Sequence, residues 1–179
     1  MELKTVIEGC VAGNAKSQRM LFDMLAPKMF SVCKRYLSSD QEAEDVLQEG
    51  FIKLFQRIDT YNFQGSFEGW ARRLFVNTAL DQIRKYKKSR FSEDVDNPNL
   101  HLEMDAFIIE GMEADNLMKL LDSLPKAYKL VFNLFAIEGY SHKEIGEMLE
   151  ITENTSKSQY FRAKALLQKK LEEVNVTRY

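Results

Sequence analysis

Helix breakers are scarce in this chain. Its 179 residues include only 8 Gly and 3 Pro, too few for the closely spaced turns of a sandwich or barrel. Long windows of helical period fill the rest, so an all-α fold is expected. Cysteine is nearly absent. Cys10 and Cys33 stand apart among apolar neighbours with no C-x-x-C pair, which excludes a disulfide framework and reads as two buried structural thiols, a redox switch being the lesser reading. The two histidines, His101 and His142, lie far apart and offer no zinc spacing. Neither a metal nor another cofactor is expected. There is no Gly-rich phosphate loop and no nucleophile–base pair, so an enzyme acting on nucleic acid is the weakest reading and no small-molecule substrate is expected. No apolar run reaches the roughly 18 residues that a bilayer span needs. The start, Met1-Glu2-Leu3-Lys4, lacks the basic-then-apolar layout of a signal peptide. The chain is expected to stay in the cytoplasm and not to be embedded in a membrane.

What is present is a composition for one or two small domains, 45% hydrophobic and 29% charged. A net charge of −2 hides strong segregation. Residues 69–90 carry seven cations against Asp81 alone, a net of +6. Residues 92–125 carry nine acids against Lys119, a net of −8. Residues 153–179 return to +3. Charge separated in this way steers a polyanion onto chosen faces.

Residues 3–37 read as one or two helices whose apolar side holds Leu21, Phe22, Leu25, Met29, Val32, Cys33, Tyr36 and Leu37, with a break or kink expected at Pro27. Ser39-Asp40-Gln41-Glu42 is a capping-box pattern opening a helix to about Arg57. An aromatic loop, Tyr61-Asn62-Phe63-Gln64-Gly65, leads to a helix from Ser66 to about Lys88. Asn97-Pro98-Asn99 marks a domain boundary in an acidic stretch. Leu117, Leu120, Leu121 and Leu124 follow on one helix, and Pro125 starts another, Lys126 to Glu138, closed by Gly139. Ser141-His142-Lys143-Glu144 is a second capping box opening a short helix, Glu150-Ile151-Thr152 a tight connection, and Glu153 to about Val174 the last helix. Domains are therefore expected at 1–91 and 115–179, joined by an acidic linker over 92–114.

At about 100° per residue, the helix after Asp40 turns Ala43, Val46, Leu47, Gly50 and Leu54 to a core and Asp45, Gln48, Glu49 and Ile52 outward. A solvated face has no use for Ile52 among carboxylates, so this side is expected to meet a protein. The next helix aligns Trp70, Arg73, Asn77, Arg84 and Lys88 on one stripe, as nucleic acid requires. Aromatic faces stack on unpaired bases while cations hold the backbone. Tyr61 and Phe63 are the candidates for that stacking, with Asn62 in the same loop. Phe67 reads as core, and Trp70 as both. Asn77 is placed to read a base edge, and Asp81 to steady Arg84 at i,i+3. A small domain that grips protein and DNA side by side suggests a polymerase specificity subunit.

The last two helices read as a helix-turn-helix. Ser156, Tyr160, Ala163 and Leu167 should face the core, leaving Asn154, Lys157, Ser158 and Phe161 on the opposite side with Arg162 at its flank. Those side chains suit phosphates, base edges and a thymine methyl.

These residues resemble the sigma-70 family, and in particular its compact extracytoplasmic-function (group IV) members, over nearly the whole chain. "EDVLQEGF" at 44–51 is similar to the family's core-polymerase-binding helix, with Asp45, Gln48 and Glu49 at its recurring positions. "FEGWARRLFVNTALDQIRK" at 67–85 resembles the promoter-melting and minus-10 helix, with Trp70, Asn77, Asp81 and Arg84 at motif positions. "SLPKAYKLVFNLFAIEGYSHKEIGEML" and "ITENTSKSQYFRAK" resemble the minus-35 domain. Asn154-Thr155-Ser156 replaces the usual Gly-Thr-Val, Gln159 a usual Arg, and Ala71 a larger apolar residue; these departures leave the identity of base contacts open. The middle domain of larger sigma factors does not fit in 92–122, which points to the compact group. The resemblance implies a region 2 bundle and a region 4 helix-turn-helix. Its implied partners are core RNA polymerase (largest-subunit clamp helices and flap), promoter DNA and an anti-sigma factor. The rival from another class is an autonomous helix-turn-helix regulator with an N-terminal dimerisation or sensing domain.

Overall fold

The computed structural model describes residues 2–90 and 114–176, with side chains for 2–85 and 118–171. The expected boundary at Asn97-Pro98-Asn99, His101, the acidic linker and the side chain of Leu117 lie outside them. Among the described residues all regular structure is helical: α1 (Leu3–Val11), α2 (Ala15–Tyr36), α3 (Asp40–Arg57), a 3-10 turn (Ile58–Thr60), α4 (Phe67–Arg90), α5 (Ala114–Asp122), α6 (Lys126–Phe132), a π-helical turn (Asn133–Ile137), α7 (His142–Leu149) and α8 (Glu153–Val176). The chain packs as two units that divide between residues 92 and 93.

In the first unit, the expected break at Pro27 does not occur. α2 runs unbroken through it for 22 residues. Pro27 is exposed, so water can serve the carbonyl that loses its N–H partner, and the apolar stripe from Leu21 to Tyr36 continues past it. The turn ahead of α2 is capped by Asn14, whose side chain accepts from the Ser17 N–H at 3.0 Å. Ser39 caps α3 by accepting from Glu42 N–H at 3.2 Å, while Glu42 reaches one residue further back than a standard capping box, to Ser38 N–H at 2.9 Å. Ser66 caps α4 in the same way, accepting from Gly69 N–H at 3.3 Å.

The core of this unit is the crossing of α2, α3 and α4. Phe75 of α4 is fully buried and meets Phe51 of α3 edge-on at 5.1 Å, and Phe51 in turn packs on Phe22 of α2 at 4.5 Å. The close approach is possible because α3 carries Gly50 here: a Cβ would lie 2.3 Å from the Phe75 ring. Cys10 and Cys33 are buried and free. Burial pushes both thiols up, Cys33 to about 12, so neither is ionised near neutrality.

The second unit closes around Leu121, Leu124, Phe132, Ala163 and Leu167, with Tyr128, Ile137 and Tyr160 packed against them. Ser141 and Glu144 form a complete capping box at α7. The turn into α8 is tight. Glu150 adopts a left-handed φ of 58°, Ile151 N–H bonds Gly146 O at 3.0 Å, and a Cβ on Gly146 would meet Ile151 O at 2.9 Å. Thr152 then caps α8, accepting from Thr155 N–H at 3.0 Å.

Two glycines of the first unit predict opposite outcomes. Gly50→Ala should destabilise by about 1–3 kcal/mol through overpacking against Phe75. Gly69→Ala meets nothing nearer than Ser66 at 3.7 Å and should stabilise α4 by about 0.5–1 kcal/mol. Urea unfolding checks both, and equal effects would refute the packing account. In the second unit, burial first and then Lys157 hold the His142 imidazole below its ordinary 6.5, with Glu153 opposing. The unfolded chain therefore binds more protons as pH falls through that value, and stability is lost on acidification. The urea midpoint should fall between about pH 7.5 and about pH 5.5, and less steeply in His142→Asn. Identical slopes would contradict it.

Candidate nucleic-acid and partner interface

The outward side of α3 follows the expected register. Asp45 and Gln48 are exposed, and Ile52 is 58% exposed although it is a large apolar residue. On the other side Ala43, Val46, Gly50 and Leu54 are buried, joined by Phe51. Glu49 differs from its neighbours. It is partly buried and pairs with Lys53 at 2.9 Å, and that bond holds its carboxyl below the usual carboxylate range. It enters any partner contact already neutralised in part, whereas Asp45 is the exposed acid.

Lys53 also faces α4, 3.6 Å from Asp81, which lies 3.6 Å from Arg84. The expected Asp81–Arg84 pair is therefore present, but as one end of a chain that begins on the outer side of α3. Lys53 is the link that sequence reading missed. The signal was its i,i+4 spacing from Glu49; the second contact, to Asp81, needs the helix crossing.

Between α3 and α4 lies a shallow cleft of about 270 Å³. Trp70, Arg73 and Asn77 line one wall, as their spacing predicts, and Lys53, Arg57 and Thr60 line the other. The sequence reading assigned nothing to the second wall. The lining cations Lys53, Arg57 and Arg73 outnumber its one carboxylate, Asp81, and with an indole and an amide around a concave surface they favour an anionic chain with planar bases. Arg84 is partly buried at the far end of the stripe; the side chain of Lys88 lies outside the described residues.

The aromatic loop divides its residues differently from the sequence reading. Tyr61 was expected on the loop surface, but it is buried. Its hydroxyl donates to Gly65 O at 2.7 Å, and its ring meets Phe67 edge-on at 5.0 Å and Trp70 at 5.7 Å. A ring with an apolar edge and one satisfied hydroxyl is better served inside than in water. Tyr61 thus holds the loop shut. Phe63 is the exposed ring, at 49%, in a left-handed conformation with φ 60°. A non-glycine residue there stores backbone strain of about 1–2 kcal/mol. Asn62 steadies the tip by accepting from Gln64 N–H at 3.1 Å, and Lys4 of α1 stands 5.8 Å above the Phe63 ring. Phe67 is core, and Trp70 stacks on it at 5.4 Å while also lining the cleft.

In the second unit Ser156, Ala163 and Leu167 are buried and Tyr160 packs on Phe132 at 5.8 Å, as the periodicity requires. The opposite side of α8 presents Asn154 and Lys157 exposed and Ser158 partly so. Lys157 is held by Glu153 at 2.6 Å and Ser158 donates to Asn154 O at 2.9 Å. Phe161, expected to be exposed on this side, is partly buried. Arg162 donates to the Tyr128 hydroxyl at 3.4 Å, an α6 contact that aims the guanidinium. No group of three or more His, Cys, Asp or Glu suited to a metal occurs among the described residues. None of their helices is long and apolar enough to cross a membrane.

Comparison with known proteins matches each unit separately. The sigma-70 region 2 family covers residues 21–89, and the sigma-70, region 4 family covers 114–167. Among whole-length relatives, the chain is 28% identical to the ECF RNA polymerase sigma factor SigW of Bacillus subtilis over 97% of its own length and 99% of the relative's. It is 26% identical to the ECF RNA polymerase sigma-E factor of Escherichia coli K12 over 94% of each. Solved structures share the fold, two among them with a bound partner. One is CnrH in complex with the cytosolic domain of CnrY (TM-score 0.51, 18% identity, 94% of this chain and 96% of that one). The other is the sigma factor RpoE in complex with the anti-sigma factor NepR from Bartonella quintana (TM-score 0.54, 19% identity, 88% and 98%). With both regions matched in order and full-length relatives of one kind, the chain belongs to the sigma-70 family, as an ECF RNA polymerase sigma factor.

Proposed function

We propose that this sigma factor docks on core RNA polymerase through the outer side of α3, residues 42–53, with Asp45, Gln48 and Ile52 as the principal contacts and Glu49 at their edge. The clamp helices of the largest subunit are the receiving surface, and the flap receives the C-terminal unit. In this reading residues 1–91 act as region 2, 115–179 as region 4, and 92–114 as a linker. Promoter DNA melts over the first unit, with Phe63 stacking on an unpaired base, Asn77 reading an edge, and Trp70, Arg73, Arg84 and Lys88 holding the strand. Tyr61 and Asn62 act by shaping the loop. Asn154, Lys157, Ser158, Phe161 and Arg162 enter the major groove at minus-35. The protein makes and breaks no bond itself and works in the cytoplasm.

One observation supports this reading above the others. The exposed Ile52 among acids and the cation-lined cleft occupy two sides of one packed unit, α3 crossing α4. Protein and nucleic acid can then be held by a single rigid body. An autonomous regulator is not favoured, because residues 21–89 match sigma-70 region 2 rather than a dimerisation or sensing domain. Similar folds solved with an anti-sigma factor, NepR, or with the cytosolic domain of CnrY support an anti-sigma partner for this chain as well. It would compete for the same α3 surface.

Both exposed side chains are available to test. Asp45→Lys and Ile52→Asp should each weaken binding to core polymerase by about tenfold or more, with unchanged helical content and melting temperature. Binding measured by fluorescence anisotropy at wild-type strength in both variants would refute the assignment of α3.

A further inference from the structure

His142 is the first residue of α7, inside the capping box that Ser141 and Glu144 close, so its backbone is fixed. Its ring lies flat on Phe135, 4.1 Å away and 9° from parallel, and 5.7 Å from Tyr160. Phe135 comes from the π-helical turn Asn133–Ile137, where the added residue per turn swings its side chain toward α7. His142 Nδ1 lies 2.9 Å from the hydroxyl of Ser156 on α8, and Ser156 is completely buried. One imidazole therefore joins three segments of the second unit. Ser156 sits between Asn154 and Lys157, in the turn that carries the outward contacts. Burial and the neighbouring Lys157 favour the neutral ring, which leaves one nitrogen as donor and one as acceptor.

We propose that His142 is a positioning residue for sequence reading by α8, its hydrogen bond to Ser156 fixing the rotation of that helix about its own axis. The inference rests on the reading that the outward side of α8 enters the minus-35 groove. The lever is short and sensitive. With side chains about 5–6 Å from the axis, a rotation of about 20° carries their tips about 2 Å, enough to break a base-edge hydrogen bond. Without the imidazole, Ser156 can turn its hydroxyl to the Thr152 carbonyl one turn back. The helix then remains folded, held by Ala163 and Leu167 in the core, and loses the contact that sets the rotation of its first turn.

Two substitutions separate the hydrogen bond from the packing. His142→Asn places an amide atom where Nδ1 stands and removes the ring; His142→Phe keeps the stack on Phe135 and removes the hydrogen bond. The full chain bound to core polymerase would first select a duplex from a pool randomised over the minus-35 region. That duplex and a scrambled one would then be titrated with each variant. His142→Phe should lower the specific-to-scrambled affinity ratio about tenfold, while His142→Asn stays within about twofold of wild type even though it melts earlier. Ser156→Ala should cause the same loss and add nothing to His142→Phe. A wild-type ratio in His142→Phe, or an equal loss in both His142 variants, would overturn the proposal. If the wild-type protein selects no sequence at all, the groove-reading role of α8 falls, and this inference with it.

Discussion

Everything in the first unit depends on how closely α4 approaches α3. Phe75 occupies space that any side chain at position 50 would need. That single allowance lets two helices of unlike chemistry share a core, one presenting carboxylates and Ile52 outward, the other cations and aromatics. With a larger residue at 50 the helices would separate, and the cleft between Lys53 and Asn77 would widen with them. The geometry of both outward faces is thus set by packing in the core, at Gly50 and Phe75.

Electrostatics adds a second constraint. Lys53 stands between Glu49 and Asp81, and Asp81 between Lys53 and Arg84. None of these groups is deeply buried, so each pair contributes little to stability by itself. Their value lies in arrangement. The acids orient Lys53 of the cleft and Arg84 of the α4 stripe, and Glu49 is already paired with Lys53. In the proposed docking of α3 on polymerase, attraction for a basic partner then rests on Asp45, with Ile52 supplying the apolar contact that charge alone does not provide.

Much of the fold is legible in the chain because periodicity and caps agree. Ser39 and Ser141 start helices where their side chains find the N–H three residues on, and the Ala43–Leu54 register separates core from surface with Phe51 added and Leu47 only partly buried. Of the two outcomes expected at Pro27 the break does not occur, since a proline on the wet side of a long amphipathic helix leaves the apolar stripe intact. Tyr61 misled. Loop position suggested exposure, but its hydroxyl finds Gly65 O and its ring finds Phe67, contacts that only the folded loop creates. The second wall of the cleft, Lys53, Arg57 and Thr60, was hidden because cross-helix neighbours leave no local pattern. The bond between His142 and Ser156, fourteen residues apart, was hidden likewise.

The central claim is that one chain brings core polymerase and promoter together, and run-off transcription tests it most directly. Bacterial core RNA polymerase would be assayed with and without the full chain on a library of promoter-like templates. The account predicts discrete transcripts that appear only when the chain is present and that share sequence at two upstream positions. Products unchanged by the chain, together with tight binding of the chain alone to a palindromic duplex, would contradict it.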